Sequence, residues 1–230
     1  MQLSNRLQSL TDLVTRGNRV ADIGCDHAYV SIYLMEQGIA SHVIAMDINK
    51  GPLERAKENI RKYGFCDKIE TRLSNGAEKL EVGEVDTIFI AGMGGALIRN
   101  ILSAREEVIA SCKELILSPQ SEIHLVRMYL KEIGFHIVKE NMLIEDGKYY
   151  VMIRAVKGEE MATSREDYYF GRDLLTNQHP VLQQFLTKEL AKKEEIYKML
   201  SKEGDKHQGR LKELEEEITL YKGGLKFYAL

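Results

Sequence analysis

The feature that most restricts the fold is an alternation: short apolar runs, several ending at glycine or a polar turn, give way to segments whose apolar residues recur at helical spacing. Arg19 to Ile23, Ser41 to Ile48, Ile69 to Leu73, Val85 to Ala91 and Glu114 to Leu117 read as strands. Tyr29 to Gln37, Gly51 to Tyr63, Gly94 to Ala110 and Glu122 to Ile133 read as helices. A first helix, with Leu3, Leu7, Leu10 and Val14 on one face, precedes them and stops at Gly17-Asn18. Apolar strands alternating with helices imply a parallel sheet covered on both faces. After Gly134 the alternation stops. Phe135 to Ile144 and Tyr149 to Val156 flank Glu145-Asp146-Gly147-Lys148, and Asp-Gly between two such runs predicts an antiparallel hairpin.

A parallel sheet that finishes in an antiparallel hairpin predicts an α/β, Rossmann-like sheet of the class I methyltransferase kind, as distinct from uninterrupted βαβ units. Composition shifts at Lys157-Gly158-Glu159-Glu160. Beyond it, Pro180 to Leu200 and Gln208 to Tyr221 carry apolar residues at helical spacing among many Lys and Glu, joined by Ser201-Lys202-Glu203-Gly204-Asp205. These predict two helices folded back on each other, a C-terminal α-helical, coiled-coil-like hairpin domain. The expected division is residues 1–158 for the sheet domain and 159–230 for the hairpin; 230 residues suffice for one core of about 150 residues plus an appendage.

A formal charge of −3 gives no overall electrostatic pull on nucleic acid, so any such contact must come from local basic patches. Cys25, Cys66 and Cys112 are odd in number and far apart, with no spacing suited to zinc or a disulfide framework. Neither a metal nor an obligatory protein partner is expected. No basic segment followed by an apolar one opens the chain, and no apolar run approaches the roughly 20 residues that span a bilayer. A cytoplasmic protein without membrane association is the expectation.

In doubly wound folds ligands sit beyond the carboxyl ends of the strands, and Asp22-Ile23-Gly24-Cys25-Asp26 falls at that place after the first strand. Of the dinucleotide spacing G-x-G-x-x-G only Gly24 is present, so there is no glycine-rich approach to a pyrophosphate. S-adenosyl-L-methionine has no pyrophosphate and brings an amino acid and a sulfonium, whose positive charges suit Asp22. Asp47, closing the second strand, is placed to accept hydrogen bonds from both ribose hydroxyls, with Ile48 flanking the cofactor's adenine. Ser74-Asn75-Gly76, after the third strand, offers polar contacts to the adenine edge, with Asn75 and Gly76 as the candidates. Each position taken alone is also consistent with an ordinary turn or helix cap; together, at the ends of successive strands, they point to one ligand.

Asp22-Ile23-Gly24-Cys25-Asp26-His27-Ala28-Tyr29, followed by Ile90-Ala91-Gly92-Met93-Gly94-Gly95, resembles the bacterial tRNA (adenine(22)-N1)-methyltransferase family of the TrmK type. The likeness extends over Leu3-Ser4-Asn5-Arg6-Leu7, Ser118-Pro119-Gln120, Glu145-Asp146-Gly147-Lys148-Tyr149-Tyr150 and the charged helices, nearly the whole chain. It implies S-adenosyl-L-methionine as cofactor and tRNA as partner, with N1 of adenine 22 as acceptor. Many enzymes that methylate an exocyclic amine carry Asn or Asp, Pro-Pro and an aromatic residue after the fourth strand. Here that position holds Ala91-Gly92-Met93-Gly94-Gly95. Ala91 and Gly92 are expected on the cofactor side; Met93, Gly94 and Gly95 leave room for a planar base, with Met93 packing on its face.

Ring N1 carries a lone pair in the base plane and needs no deprotonation, so alignment is the main demand. Methylation moves positive charge onto the base, and Asp26 is the candidate that stabilises it, with His27 or Tyr29 orienting the ring. Arg6 and Arg99 are candidate substrate contacts, with Arg16, Arg19, Lys188, Lys192, Lys193 and Lys198 as further phosphate candidates. Two other readings stay open on the residues alone: a methyltransferase for a small molecule or protein that dimerises through the hairpin, and a noncatalytic coiled-coil protein that keeps the fold.

Overall fold

In the computed structural model of the chain the described residues are 1–159 and 164–229, which leaves Glu160, in the expected boundary segment, outside them. Helix α1 (Asn5–Thr11) leads into a seven-stranded sheet of order β3-β2-β1-β4-β5-β7-β6. Its strands are β1 (Arg19–Ile23), β2 (His42–Asp47), β3 (Ile69–Leu73), β4 (Thr87–Met93), β5 (Glu114–Pro119), β6 (Phe135–Glu145) and β7 (Lys148–Lys157). The first five are parallel, and β7 runs antiparallel to both β5 and β6. Val20 and Ala21 of β1 are fully buried and Ile23 nearly so, as suits an interior strand flanked by β2 and β4. At the β6–β7 turn Asp146 and Gly147 both have positive φ, +50° and +73°, the pair that a two-residue hairpin needs.

Between strands lie α2 (Tyr29–Glu36), α3 (Lys50–Lys62), α4 (Gly95–Ser103), α5 (Glu106–Ser111) and α6 (Ile123–Glu132). The expected single helix over Gly94 to Ala110 is therefore two, broken at Arg105, whose φ is −142° and ψ 62°. Ile98, Ile101, Leu102, Val108 and Ile109 are buried, and an uninterrupted helix would carry Arg105 into that stripe. The break instead lets its guanidinium reach the Glu78 carbonyl at 2.6 Å and Glu107 at 2.6 Å.

The chain divides into two compact units, Met1–Glu160 and Met161–Leu230. In the second, α7 (Arg165–Phe170) and α8 (Arg172–Thr176) precede α9 (Pro180–Leu200), a 3₁₀ segment (Ser201–His207) and α10 (Gln208–Leu225). The segments now seen as α7 and α8 are absent from the sequence reading, although Ser164 and Asp167 form a capping box that marks where α7 starts. Lys193 pairs with Glu217, Glu194 with Lys222 at 2.8 Å, and the Tyr197 hydroxyl donates to Glu215 at 2.6 Å. Near the end of α10, Gly224 has no Cβ and admits the ring of Phe170, which packs edge-on to Tyr221. No helix among the described residues is long and apolar enough to cross a membrane.

Candidate functional site

Because β1 lies between β2 and β4, the chain leaves the sheet in opposite directions on its two sides, and a crevice opens beyond the carboxyl ends of these strands. A cavity of about 520 Å³ lies there, within the usual range for small-molecule cofactor sites. Five strand ends supply its wall: Asp22 and Gly24 at the end of β1, Asp47 and Ile48 at the end of β2, Asn75 and Gly76 after β3, Ala91 to Met93 from β4, and Gln120 after β5.

The β1 turn is built by backbone geometry. Gly24 and Cys25 both donate their N–H to the Met46 carbonyl, at 2.8 and 2.9 Å, which draws the turn across the end of β2. Gly24, Asp26 and Ala28 then take positive φ of +78°, +51° and +59°, so the chain doubles back before α2 begins. The Asn59 amide holds this loop through the His27 carbonyl at 3.0 Å.

Asp22 is buried and accepts the Ser31 hydroxyl at 2.6 Å. Burial pushes its carboxyl up to about 6, only partly opposed by that hydrogen bond. Asp47 accepts the N–H of Asn49 at 2.8 Å on one oxygen and that of Asp26 at 3.3 Å on the other, which fixes the carboxylate plane and leaves further lone pairs. Burial, with Asp22, Asp47 and Asp26 nearby, pushes the Cys25 thiol up, so it is no nucleophile at neutral pH. The Asn75 amide donates to Glu78 at 2.7 Å, leaving its carbonyl oxygen as an acceptor.

The mouth has a different character. Tyr29, Ile48 and Leu97 line the cavity and yet are 45%, 60% and 51% exposed. Large apolar surface left open around one crevice marks a ligand-binding face. The rings of His27 and Tyr29 lie 5.7 Å apart, and His27 Nε2 is 3.4 Å from Asp26 Oδ1.

All the expected cofactor residues, together with Asp26, His27, Tyr29, Met93 and Arg6, border this cavity. Arg6 is held by Glu145 at 3.5 Å and lies over the Tyr150 ring. Gly94, Gly95 and Arg99 are not among its lining residues. Gly95 donates its N–H to the Ser121 carbonyl at 2.9 Å, and a Cβ there would strike the backbone of Ser121 and Glu122, so this glycine serves the close packing of α4. A Cβ on Gly94 would press on the Ser121 hydroxyl. Arg99 instead lies 5.6 Å over the Tyr129 ring. Of the other basic candidates, Arg19 is paired with Asp86 and Arg16 with the carbonyls of Gln37 and Gly38. Sequence reasoning assigned no role to Gln120, Leu97, Phe89 or Ile101; the strand-end rule that found Asp47 would also have found Gln120, which follows β5. Among the described residues no group of three or more His, Cys, Asp and Glu could hold a metal ion.

The residues fit S-adenosyl-L-methionine. Gly24 offers bare backbone at the floor and lets Met93 close on the β1 turn, buried Asp22 and Asp47 answer cationic and hydroxyl groups, and no anion-binding glycine array competes.

The family model described as TrmK, tRNA (adenine(22)-N(1))-methyltransferase, matches residues 20–223. The chain belongs to the TrmK family. The tRNA (adenine(22)-N(1))-methyltransferase of Bacillus subtilis (strain 168) is 34% identical to it over 229 residues, 96% of each chain. Streptococcus pneumoniae Sp1610, solved in complex with S-adenosyl-L-methionine, superposes with a TM-score of 0.88 at 34% identity, covering 97% of this chain and 100% of that one. The M. capricolum TrmK, solved with the cofactor product S-adenosyl-homocysteine, gives a TM-score of 0.88 at 25% identity over 99% of each chain. The matched residues 20–223 take in the strand-end cavity apart from Arg6 and Leu7, and most of the helices that follow Arg165.

Proposed function

We propose that this chain transfers the methyl group of S-adenosyl-L-methionine to ring N1 of adenine 22 of tRNA. The observation that carries the reading is the crevice itself: buried carboxylates on one side, open glycine backbone and exposed apolar rings on the other, in a chain of the TrmK family. The cofactor, when bound, supplies an electrophilic methyl group on a positively charged sulfur.

Asp22 faces the cationic end of the cofactor and Asp47 takes the ribose hydroxyls. Ile48, Asn75 and Gly76 border the adenine, and the backbone of Ala91 and Gly92 closes the other side. Met93 packs on the face of the acceptor base, His27 and Tyr29 orient it, and Asp26 stabilises the positive charge that develops there. Arg6 stands at the rim as a phosphate or base contact. Because N1 lies on the pairing edge, the base must be unpaired or rotated out of its stack before transfer.

Residues 1–158 then form the methyltransferase domain and 159–230 a tRNA-binding, coiled-coil-like helical hairpin. The cross-helix pairs of α9 with α10 support that reading, as do the four lysines that α9 itself carries, Lys188, Lys192, Lys193 and Lys198, against its three glutamates. A tRNA substrate implies action in the cytoplasm. The test is incubation with labelled S-adenosyl-L-methionine and unmodified tRNA, followed by nucleoside analysis. Label in 1-methyladenosine at position 22 is the expected result; label confined to other nucleosides or to non-RNA acceptors would overturn the reading.

A further inference from the structure

Of the polar side chains that line the cavity, Asp22, Asp47, Asn75 and Arg6 have protein partners. Gln120 does not: its carboxamide makes no hydrogen bond among the described residues and is exposed to the crevice. Its backbone is nevertheless held firmly. The Gln120 N–H donates to the Met93 carbonyl at 2.9 Å, across the point where the β4–β5 register shifts between Ala91 and Met93. The side chain then lies over Gly92, where an added Cβ would stand 3.7 Å from Nε2. Asn49, another amide on the cavity wall, follows Asp47 on the β2 side. Gln120 is on the β4 side, with Gly92 and Met93.

We propose that Gln120 selects the acceptor base by pairing its carboxamide with the N6–N7 edge of adenine. The proposal rests on the functional reading above and adds the recognition step. The nucleophilic N1 lone pair must stay free to meet the methyl group, so N1 is closed to a protein donor. The remaining edge presents one donor, N6–H, beside one acceptor, N7. A glutamine carboxamide presents the complement, Oε1 accepting and Nε2 donating, and such bidentate pairs are a general means of choosing adenine. Guanine offers two acceptors on that edge, O6 and N7, and Oε1 would face O6 without a proton between them. Gly92 lacks a side chain, which leaves the carboxamide unobstructed, and the Met93 carbonyl fixes the strand end from which it projects.

The test uses full-length enzyme and two tRNAs, one with adenine 22 and one with 7-deazaadenine at that position. The deaza base keeps N1 and N6 and lacks only the N7 acceptor. Wild-type kcat/KM is expected to fall about tenfold on the deaza substrate. Gln120→Ala is expected to lose roughly tenfold to a hundredfold on adenine, and then to use 7-deazaadenine as well as it uses adenine. Its affinity for S-adenosyl-L-methionine, measured by calorimetry, should match the wild type. A wild-type enzyme that treats both bases alike, or a variant that still loses tenfold on the deaza base, would overturn the assignment, as would a tenfold loss of cofactor affinity. A wild-type enzyme inert on the adenine 22 transcript would instead overturn the functional reading and this step with it.

Discussion

The terminal methyl of Met93 fills the space that a Cβ on Gly24 would need, so the β1 turn and the end of β4 meet where one of the two has no side chain. Gly24 also holds φ at +78°, in the left-handed region that costs other residues about 1–2 kcal/mol. Gly24→Ala therefore carries two separable penalties. It is expected to destabilise the protein by about 2 kcal/mol in urea melts and to weaken S-adenosyl-L-methionine binding more than tenfold. Adding Met93→Ala relieves the overlap and not the backbone strain, so it should restore only part of the stability. Full recovery in the double variant would show that strain contributes nothing.

Asp22 links the cofactor site to folding stability. Burial raises its carboxyl from the ordinary 3.8 to about 6, so between those values the folded state holds a proton that the unfolded chain has released. The stability this contributes is complete below about pH 3.8 and is lost as pH rises through about 6. At neutral pH the apoprotein carries a buried charge at a cost, and Asp22→Asn is expected to gain roughly 1–3 kcal/mol at pH 7.5, a gain that shrinks toward pH 4. The same charge holds the cationic ligand. Cofactor affinity should fall at least tenfold in the variant, and wild-type affinity should weaken below about pH 6 while the variant's stays flat. Paired urea melts and calorimetry over pH 5–8 check both; a variant less stable than wild type at pH 7.5 would sink the linkage.

These two positions show why so much of the site was legible. Asp22, Gly24 and Asp47 stand where hydrophobic period changes from strand to helix, and in a doubly wound sheet that change marks the ligand edge. Arg105 was illegible for the opposite reason. The apolar residues around it keep helical phase, and only the cost of burying a guanidinium in their stripe breaks the helix. Gly94 and Gly95 misled because a glycine pair looks alike whether it makes room for a ligand or for neighbouring backbone; the approach of Ser121 and Glu122 is invisible until the chain is folded. Gln120 belongs to Ser118-Pro119-Gln120, a part of the family likeness that names no role for it, and only its place after β5 gives it meaning.

At the other end of the sheet the buried Glu114 carboxylate gathers five hydrogen bonds, from Thr15 N–H and hydroxyl, the Asn18 amide, the Thr87 hydroxyl and Arg154 Nε, at 2.7–3.2 Å. Removing the acceptor takes a partner from the buried Asn18 amide and Thr87 hydroxyl in a water-poor space. Glu114→Ala is expected to cost about 3–5 kcal/mol of stability in chemical denaturation, whereas Glu114→Gln, which keeps an acceptor oxygen, should cost less. The folded fraction should retain its turnover number, since this network stands at the opposite strand ends from the cavity. Equal losses for the two variants would contradict the role assigned to the shared acceptor.

For the second unit, a tRNA-binding role requires exposed cationic side chains that can reach phosphate. Lys188 and Lys198 are exposed on α9 and serve as the probes, whereas Lys193 is half-buried beside Glu217. Lys188→Glu combined with Lys198→Glu should raise the KM for tRNA, leave S-adenosyl-L-methionine affinity unchanged, and flatten the salt dependence of tRNA binding by about one unit of slope per lysine. An unchanged slope would remove these lysines from the interface.

Asp26 tests the chemistry most directly. Its backbone N–H donates to Asp47, its φ of +51° fixes the loop, and its side chain remains 69% exposed at the cavity. Alanine would add strain, because a side chain that bonds locally tolerates this conformation best. Asparagine keeps the shape and removes the charge. If the carboxylate stabilises positive charge developing on adenine, Asp26→Asn lowers the single-turnover rate by about tenfold or more, with tRNA and cofactor affinities within twofold of wild type. A structural role in the loop predicts the reverse, weakened cofactor binding through Asp47 with an undiminished chemical step. Single-turnover kinetics alongside calorimetry separate the two, and a wild-type rate at saturating substrates would exclude Asp26 from the reaction.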